Sequence, residues 1–288
     1  MAMNNIELST IYLPLLDEVY KAESKTAILD GDETTVQKGQ HGEIKIAKLT
    51  MDGLGDFTRN SGYTKGSTKL VWETIKFDKE RSQELRVDRL DNEESLGIMF
   101  SKLSGTFIRT KVIPETDAAR FAKIASVEGI SKKAETLEDG AAVVSALRAC
   151  VNKMDEDEVP TENRILWITP TLKGLIDDMD TTKSKKILER FSVIIEVPQS
   201  RFFTAVTLAD GKENYGYSKA DGGKDINFMC VEKSAAVTAM QQYIKYFSPD
   251  QDQNGDDHVF DYRNNNLYGH VYENKLAGVY VSYDDAEV

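Results

Sequence analysis

Between Gly42 and about Ser126 the sequence calls for a long two-stranded excursion followed by one long helix, and few folds accommodate both. The outward strand reads Ile44-Lys45-Ile46-Ala47-Lys48-Leu49-Thr50. A glycine-punctuated tip, residues 51–66, leads into the return strand Leu70-Val71-Trp72-Glu73-Thr74-Ile75-Lys76-Phe77. β-Branched and aromatic residues on both sides of a Gly-rich tip mark paired strands. The return arm continues through Arg81 to Asp91 with matched charges. Lys69, Lys76, Lys79, Arg81, Arg86 and Arg89 are balanced one for one by Glu73, Asp78, Glu80, Glu84, Asp88 and Asp91. Two strands bury no core of their own, so this hairpin has to lie on something else.

The helix that follows carries the strongest periodic signal in the chain. Asp91 with Glu94 has capping-box spacing, and Glu93 and Glu94 sit where the helix dipole favours anions. Leu96, Met99, Phe100, Leu103 and Phe107 share one helical face, which Ile98, Ile108 and Val112 widen. Pro114 lacks an N–H and its ring meets the Thr110 carbonyl, so a kink or break is expected there. The pattern resumes with Ala118, Phe121, Ala122 and Ala125. About 35 helical residues would span roughly 50 Å, the length of a spine.

Ahead of the hairpin, residues 1–41 hold an apolar segment, Ile11 to Leu16, and then polar, Gly-containing sequence. Leu13, Leu15, Leu16 and Val19 need cover, either from their own chain or from a neighbour. Beyond the spine, Gly129 to Lys133 reads as a linker. Thr136 to Met154 is an amphipathic helix with Val143, Leu147, Cys150 and Met154 on one face. Arg164 to Thr169 is a buried strand, and Thr169 with Pro170 opens a helix faced by Leu172, Leu175, Ile176 and Met179. Val193 to Pro198 and Phe202 to Leu208 are strands, and a Gly-rich turn region runs from Asp210 to Gly223. Helix, strand, helix, strand is an α+β or α/β unit. From Asp225 onward strands dominate: Ile226 to Val231, Val259 to Arg263, Leu267 to Tyr272 and Leu276 to Tyr283. Residues 235–247 suit either helix or strand.

At this point particular strings carry a resemblance. Thr50-Met51-Asp52-Gly53-Leu54-Gly55-Asp56-Phe57 with Arg59-Asn60 and Gly62-Tyr63 is the first. Trp72-Glu73-Thr74, Val87-Asp88-Arg89 and Thr110-Lys111-Val112-Ile113-Pro114-Glu115 follow it. Together, and in this order over nearly the whole chain, they resemble major capsid proteins of tailed bacteriophages and prophages. The resemblance implies an α+β tailed-phage major capsid fold. Its parts would be an N-terminal arm (1–41), an extended two-stranded loop (42–90) and a spine helix with a peripheral sheet (91–130). An axial α/β domain (131–225) and strands returning to the axial and peripheral sheets (226–288) would complete it.

Composition fits such a chain and excludes several alternatives. With 288 residues, 40% hydrophobic and 29% charged, it has enough material for two subdomains with a sizeable core. No apolar run approaches the length of a membrane span, and Met1-Ala2-Met3-Asn4-Asn5 shows no signal-peptide pattern. Two cysteines, Cys150 and Cys230, make no disulfide framework and read as buried thiols. A net charge of −12 argues against DNA binding through a basic surface, though not against enclosing DNA.

Catalytic patterns are missing. The three histidines, His41, His258 and His270, form no His-Glu-x-x-His, no cysteine pair has zinc spacing, and there is no P-loop or Gly-x-Ser-x-Gly elbow. An enzyme is therefore not expected, and a structural role requires no cofactor. One ion-binding pattern remains: Asp250, Asp252, Asn254 and Asp256 with Asp261 closing match the spacing of a calcium-binding EF-hand loop. Ser248-Pro249 ahead of it, Asp as the last ligand and a strand after it suit a plain acidic loop instead. Some members of the resembled family crosslink a loop lysine to a neighbour's asparagine, roles into which Lys65 and Asn264 to Asn266 would be cast.

The function implied by the resemblance is a shell protein. Copies would form pentamers and hexamers of an icosahedral head that encloses double-stranded DNA without sequence-specific binding. Scaffolding protein, portal and decoration proteins would be partners, the scaffold being separate because no fused coiled-coil segment precedes the arm. The place would be the virion capsid, assembled in the bacterial host cytoplasm, with no membrane involved. Intersubunit contacts are expected along the loop at Arg59, Lys65, Trp72, Glu73, Lys76, Lys79, Arg81, Glu84, Arg86, Asp88 and Arg89. An encapsulin-type compartment and a calcium-binding interaction module are the alternatives.

Overall fold

The computed structural model of the chain describes residues 24–31, 36–38, 43–55, 57, 59, 63–89, 98–179, 182–251 and 255–284. In chain order the strands before the spine are β1 (Val36–Lys38), β2 (Glu43–Met51), β3 (Thr68–Lys76) and β4 (Lys79–Asp88). The spine consists of α1 (Ile98–Phe107), a wide π turn (Ile108–Val112) and α2 (Ile113–Ser126). Next come β5 (Ser131–Ala134), α3 (Gly140–Glu156), β6 (Arg164–Ile168), α4 (Pro170–Met179), α5 (Thr182–Leu188) and β7 (Val193–Glu196). The chain closes with β8 (Val206–Leu208), β9 (Tyr217–Lys219), β10 (Ile226–Glu232), β11 (Ala236–Phe247), β12 (Asp257–Val271) and β13 (Val279–Tyr283).

The spine does not break at Pro114. Backbone angles stay helical from Phe107 through Ile113, whose N–H bonds the Ile108 carbonyl five residues back. That widened turn sits just ahead of the proline. Pro114 then falls in the first turn of α2, where a missing N–H is tolerated. The capping pattern at Asp91 and the first apolar position, Leu96, lie outside the described residues.

Two sheets flank the spine. One has the order β5-β13-β10-β6-β7, with β6 parallel to β7, β13 parallel to β5 and the central pairs antiparallel. All five residues of β6 are buried, because both faces of this sheet are covered. On one face Val143, Leu147, Cys150 and Met154 of α3 pack with Leu172 and Ile176 of α4 against Leu166, Ile168 and Phe228. Asp139 caps α3 by accepting from the Ala142 N–H at 2.7 Å. Both cysteines are free and buried here, and burial pushes the Cys150 thiol pKa well up. On the other face Phe121, Ile124 and Ala125 of α2 meet Trp167, Phe202, Met229 and Val231.

The second sheet is antiparallel, in the order β11-β12-β4. Ile108, Val112 and Ile113 of the spine pack on its Val87, Phe260 and Tyr262. Gly269 of β12 sets the approach of α2: a Cβ there would stand 2.7 Å from Ile124 Cγ1, inside contact distance.

Several expected boundaries move. The return arm of the hairpin ends at Lys76 and does not continue to residue 90; β4 leaves it and pairs along β12, from Asp88 opposite Asp257 to Lys79 opposite Asn266. Asp78 makes the corner. Its N–H bonds Asn266 O (2.8 Å), and its carboxylate accepts from the Tyr268 N–H (2.9 Å) and from Lys123 Nζ (2.8 Å). The expected linker at Gly129–Lys133 contributes β5, and the segment from Phe202 to Leu208 is strand only over β8. The ambiguous 235–247 segment is β11, and the two expected strands between Val259 and Tyr272 are the single strand β12.

Part of the expected arm is threaded into the molecule. Residues 24–31 lie along α2, where Asp117 is fully buried. Its carboxylate accepts from Ser24 Oγ (2.7 Å), Thr26 Oγ1 (2.6 Å) and the N–H groups of Lys25 (3.0 Å) and Thr26 (3.3 Å). Arg120, also fully buried, donates to Thr26 Oγ1 (3.1 Å) and stands 2.7 Å from the Asp30 carboxylate. Trp167 Nε1 closes the clasp on the Lys25 carbonyl at 2.8 Å.

Replacing Asp117 with Ala leaves several buried donors without an acceptor, which costs about 3–5 kcal/mol. Chemical denaturation read by tryptophan fluorescence should show that loss in the midpoint at an unchanged slope. Alkaline pH supplies a second test. Burial, reinforced by the Glu115 charge, pushes the Tyr268 phenol up to about 12, and burial raises Tyr262 further. Both are raised above their unfolded value near 10. Their contribution is therefore complete below pH about 10 and declines above it as the unfolded chain ionises first. A phenolate absorbance titration should show these tyrosines ionising only together with unfolding.

Candidate functional site

Among the described residues, the hairpin stands outside both cores. β2 and β3 pair in register from Glu43 opposite Lys76 to Met51 opposite Thr68, and β1 adds a short third strand beside β2. Nine residues of β3 extend about 30 Å. Along this length and at the tip Met51 (65% exposed), Leu54 (107%), Phe57, Tyr63 (90%), Leu70, Val71 and Trp72 stand in solvent. A row of large exposed apolar side chains on one segment marks a surface that has a partner. At its base Ile75 and Phe77 pack with Val237 and Leu267, tying the hairpin to the second sheet.

The expected contact residues divide between the hairpin and the body. Arg59, Lys65, Trp72 and Lys76 are exposed on the hairpin, and Glu73 sits in β3 opposite Ile46. The others lie on or beside β4, where several ion pairs run within the chain. Arg81 forks onto Glu115 of α2 at 2.7 and 3.1 Å and also donates to the Ala209 (2.5 Å) and Gly216 (3.5 Å) carbonyls. It thus fastens β4, the spine and the loop after β8 at one point. Arg86 pairs with Glu84 (2.5 Å) and Asp257 (3.6 Å), and Glu80 pairs with Arg263. Lys79 and Asp88 are exposed at the two ends of β4. The even charge matching along this stretch therefore serves, in large part, the chain's own sheet.

Arg89 lies between two carboxylates, Asp250 at 3.4 Å and Asp256 at 3.5 Å. These are two of the expected calcium ligands. Asp252 and Asn254 lie outside the described residues, and Asp261 sits within β12, opposite Lys245 and Glu84. A strand thus stands where an EF-hand has its exiting helix. Burial, then the nearby Glu84 charge, raises the Asp261 carboxyl pKa. For the asparagines named with Lys65, Asn264 and Asn266 are buried in β12 and Asn265 is half-buried, while Lys65 is exposed at the tip.

A partly open cavity of about 600 Å³ lies between β4, β12, the π turn and the loop Asp210–Gly216. The sequence offered no sign of it, because its walls come from four separated segments. Tyr262 and Asn264 line it from β12, Phe107 from α1, and Tyr215 and Tyr217 from the far loop.

No protein-family model matches the chain, and no curated protein is similar to it in sequence. Solved structures are similar in fold. The capsid of cyanophage P-SCSP1u superposes at a TM-score of 0.55 and 14% identity, covering 87% of this chain and 85% of that one. The mature capsid of bacteriophage PhiM1 gives 0.57 at 13% identity, over 86% and 84%. A virus-like particle from Pyrococcus furiosus gives 0.57 at 12% identity, over 99% and 100%. The chain has the α+β fold of tailed-phage major capsid proteins.

Proposed function

We propose that this chain is the structural subunit of a closed protein shell, with no catalytic role. The observation that carries this reading is the hairpin: about 30 Å of paired strands bearing exposed Met51, Leu54, Phe57, Tyr63 and Trp72, which no other described residue covers. The hairpin lies across an adjacent copy, and the repeated contact joins subunits into pentamers and hexamers. The shared fold with phage capsids favours an icosahedral head around double-stranded DNA, formed in a bacterial host with a scaffolding protein, a portal and decoration proteins. A net charge of −12 suits a wall that contains DNA without attracting it.

A second reading is a compartment of the encapsulin kind, enclosing a protein cargo. It is favoured by the likeness to the Pyrococcus furiosus virus-like particle, which extends over nearly the full length of both chains. A calcium ion at the 250–261 loop would be an accessory to either shell. Calcium additions that leave the melting temperature unchanged would remove it.

Electron microscopy of the purified protein should show closed particles, and nucleic acid extracted from them separates a genome head from a cargo compartment. A chain that stays a compact monomer at all salt and crowding conditions sinks the shell reading. Replacing residues 53–66 by a short Gly-containing turn should leave a soluble, cooperatively folding subunit that forms no closed shell. Charge reversal discriminates further. Arg59 and Lys65 changed to Glu should shift stability by less than about 0.5 kcal/mol yet impair assembly, more so at low salt. Arg81→Glu should instead lower the subunit's own stability, by about 2–4 kcal/mol, since it sets a carboxylate against Glu115. Differential scanning calorimetry beside sedimentation distinguishes the two effects.

A further inference from the structure

The cavity between β4, β12, the π turn and the Asp210–Gly216 loop has the lining of a ligand site. Its volume of about 600 Å³ is far above that of a packing void and falls in the range of small-molecule pockets. Aromatic rings reach it from three segments. Phe107 meets Tyr262 edge to face at 5.7 Å, and Tyr217 is fixed by donating from its hydroxyl to the Ser200 carbonyl at 2.9 Å. Tyr215 lines the same space while 71% exposed. The widened turn of the spine supplies Thr110 and Lys111 to the wall, and π turns inside helices recur at functional sites.

The polar part of the lining is a pair. Asn264, 3% exposed, donates through Nδ2 to Tyr262 Oη at 3.2 Å, and its Oδ1 finds no donor among the described residues. Tyr262 Oη accepts that bond and keeps its own proton to give, and burial raises the phenol pKa so that the proton stays. The wall therefore offers an acceptor beside a donor. Turning the amide end for end exchanges the two roles and leaves one of each. Buried polar atoms are nearly always paired, so the guest that completes this wall carries a donor next to an acceptor.

Charge narrows the class of guest. Arg81 is already engaged by Glu115 and by the Ala209 and Gly216 carbonyls, and the exposed wall residues Lys111 and Asp210 are opposite in sign. No unbalanced charge calls for an ion. An aliphatic guest would leave Asn264 Oδ1 unpaired. A sugar would bring its hydroxyls to a wall where Thr110 is spent on the Thr106 carbonyl (2.7 Å) and Gln83 on the Glu84 carbonyl (3.1 Å). A flat, uncharged ring with an adjacent donor and acceptor meets every demand. We propose that the cavity binds a small purine nucleoside through its base, the ring against Tyr215 and Tyr217 and the hydrogen-bonding edge on Tyr262 and Asn264. Bases paired inside a duplex present neither that face nor that edge, so this site is separate from the containment of a genome.

Equilibrium dialysis of the purified full chain against labelled adenosine and, separately, guanosine tests this. At least one of them should bind saturably, one per chain, with a dissociation constant below about 1 mM. Tyr215→Ala and Thr110→Trp lie at exposed positions and should keep the melting temperature. The first, which removes a stacking face, should weaken binding by about tenfold, and the second, which fills the cavity, should abolish it. Because the base alone is recognised, the corresponding monophosphate should bind no tighter than the nucleoside, and raising salt from about 50 to 200 mM should change neither. Three results would each overturn the proposal: no saturable binding of either nucleoside, binding that both variants leave unchanged, or a monophosphate held far more tightly and released by salt. Particle formation does not enter the measurement, so a failure here leaves the shell reading standing, and the absence of particles leaves this one.

Discussion

A fully buried carboxylate on the spine, Asp117, is the constraint on which much of this molecule depends. It accepts two backbone N–H groups and two hydroxyls from residues 24–26. One turn along, the buried Arg120 faces Asp30. A charge taken out of water is tolerable only when its partners are supplied in full. The arm segment is therefore an integral part of the core. The same segment reaches β11, where Thr238 Oγ1 donates to Asp30 at 2.8 Å and Gly31 N–H bonds Thr238 O. Spine, arm and both sheets are joined through this one polar knot.

Around it α2 works on two sides. Phe121, Ile124 and Ala125 cover one sheet, while Ile113 and the preceding π turn cover the other. Gly269 lets the helix come close enough to β12 for both contacts to hold. Elements packed on both sides of a shared helix form a stiff body. The hairpin is outside that body, held at its base by Ile75, Phe77 and the Asp78 corner. The exposed side chains of its tip and return strand, among the described residues, place it at the low-stability end of the molecule, where binding segments are usually found.

The charges separate along the same line. Arg81, only 20% exposed at its side chain, is engaged by Glu115 and two carbonyls and has no freedom to serve a neighbour without loosening its own fold. Arg59 and Lys65 stand on the exposed loop. Exposed pairs are individually worth about 0–1 kcal/mol, so these two charges add little to the stability of the subunit itself.

The sequence by itself determined the local elements. A Gly-rich tip between β-branched runs, an apolar stripe from Met99 to Ala125, the buried run Arg164–Ile168 and the Thr169-Pro170 helix start are short-range signals, set by backbone geometry and side-chain period. Resemblance in the order of local strings then pointed to the capsid fold, which the solved structures share. Only the tertiary structure decided which strand pairs with which. The charged run from Lys79 to Asp88 looks like a continuation of the hairpin, because alternation along a strand is the same whether its partner is ten residues away or nearly two hundred. Its pairing with β12 depends on Arg81 finding Glu115, on Asp78 turning the chain, and on Val87 meeting Phe260 under the spine. Asp117 likewise reads as an ordinary acidic residue of a helix until residues 24–26 are brought to it from more than ninety positions away. The cavity has no sequence signature at all, since its walls come from segments that meet only after the sheets and the spine have packed.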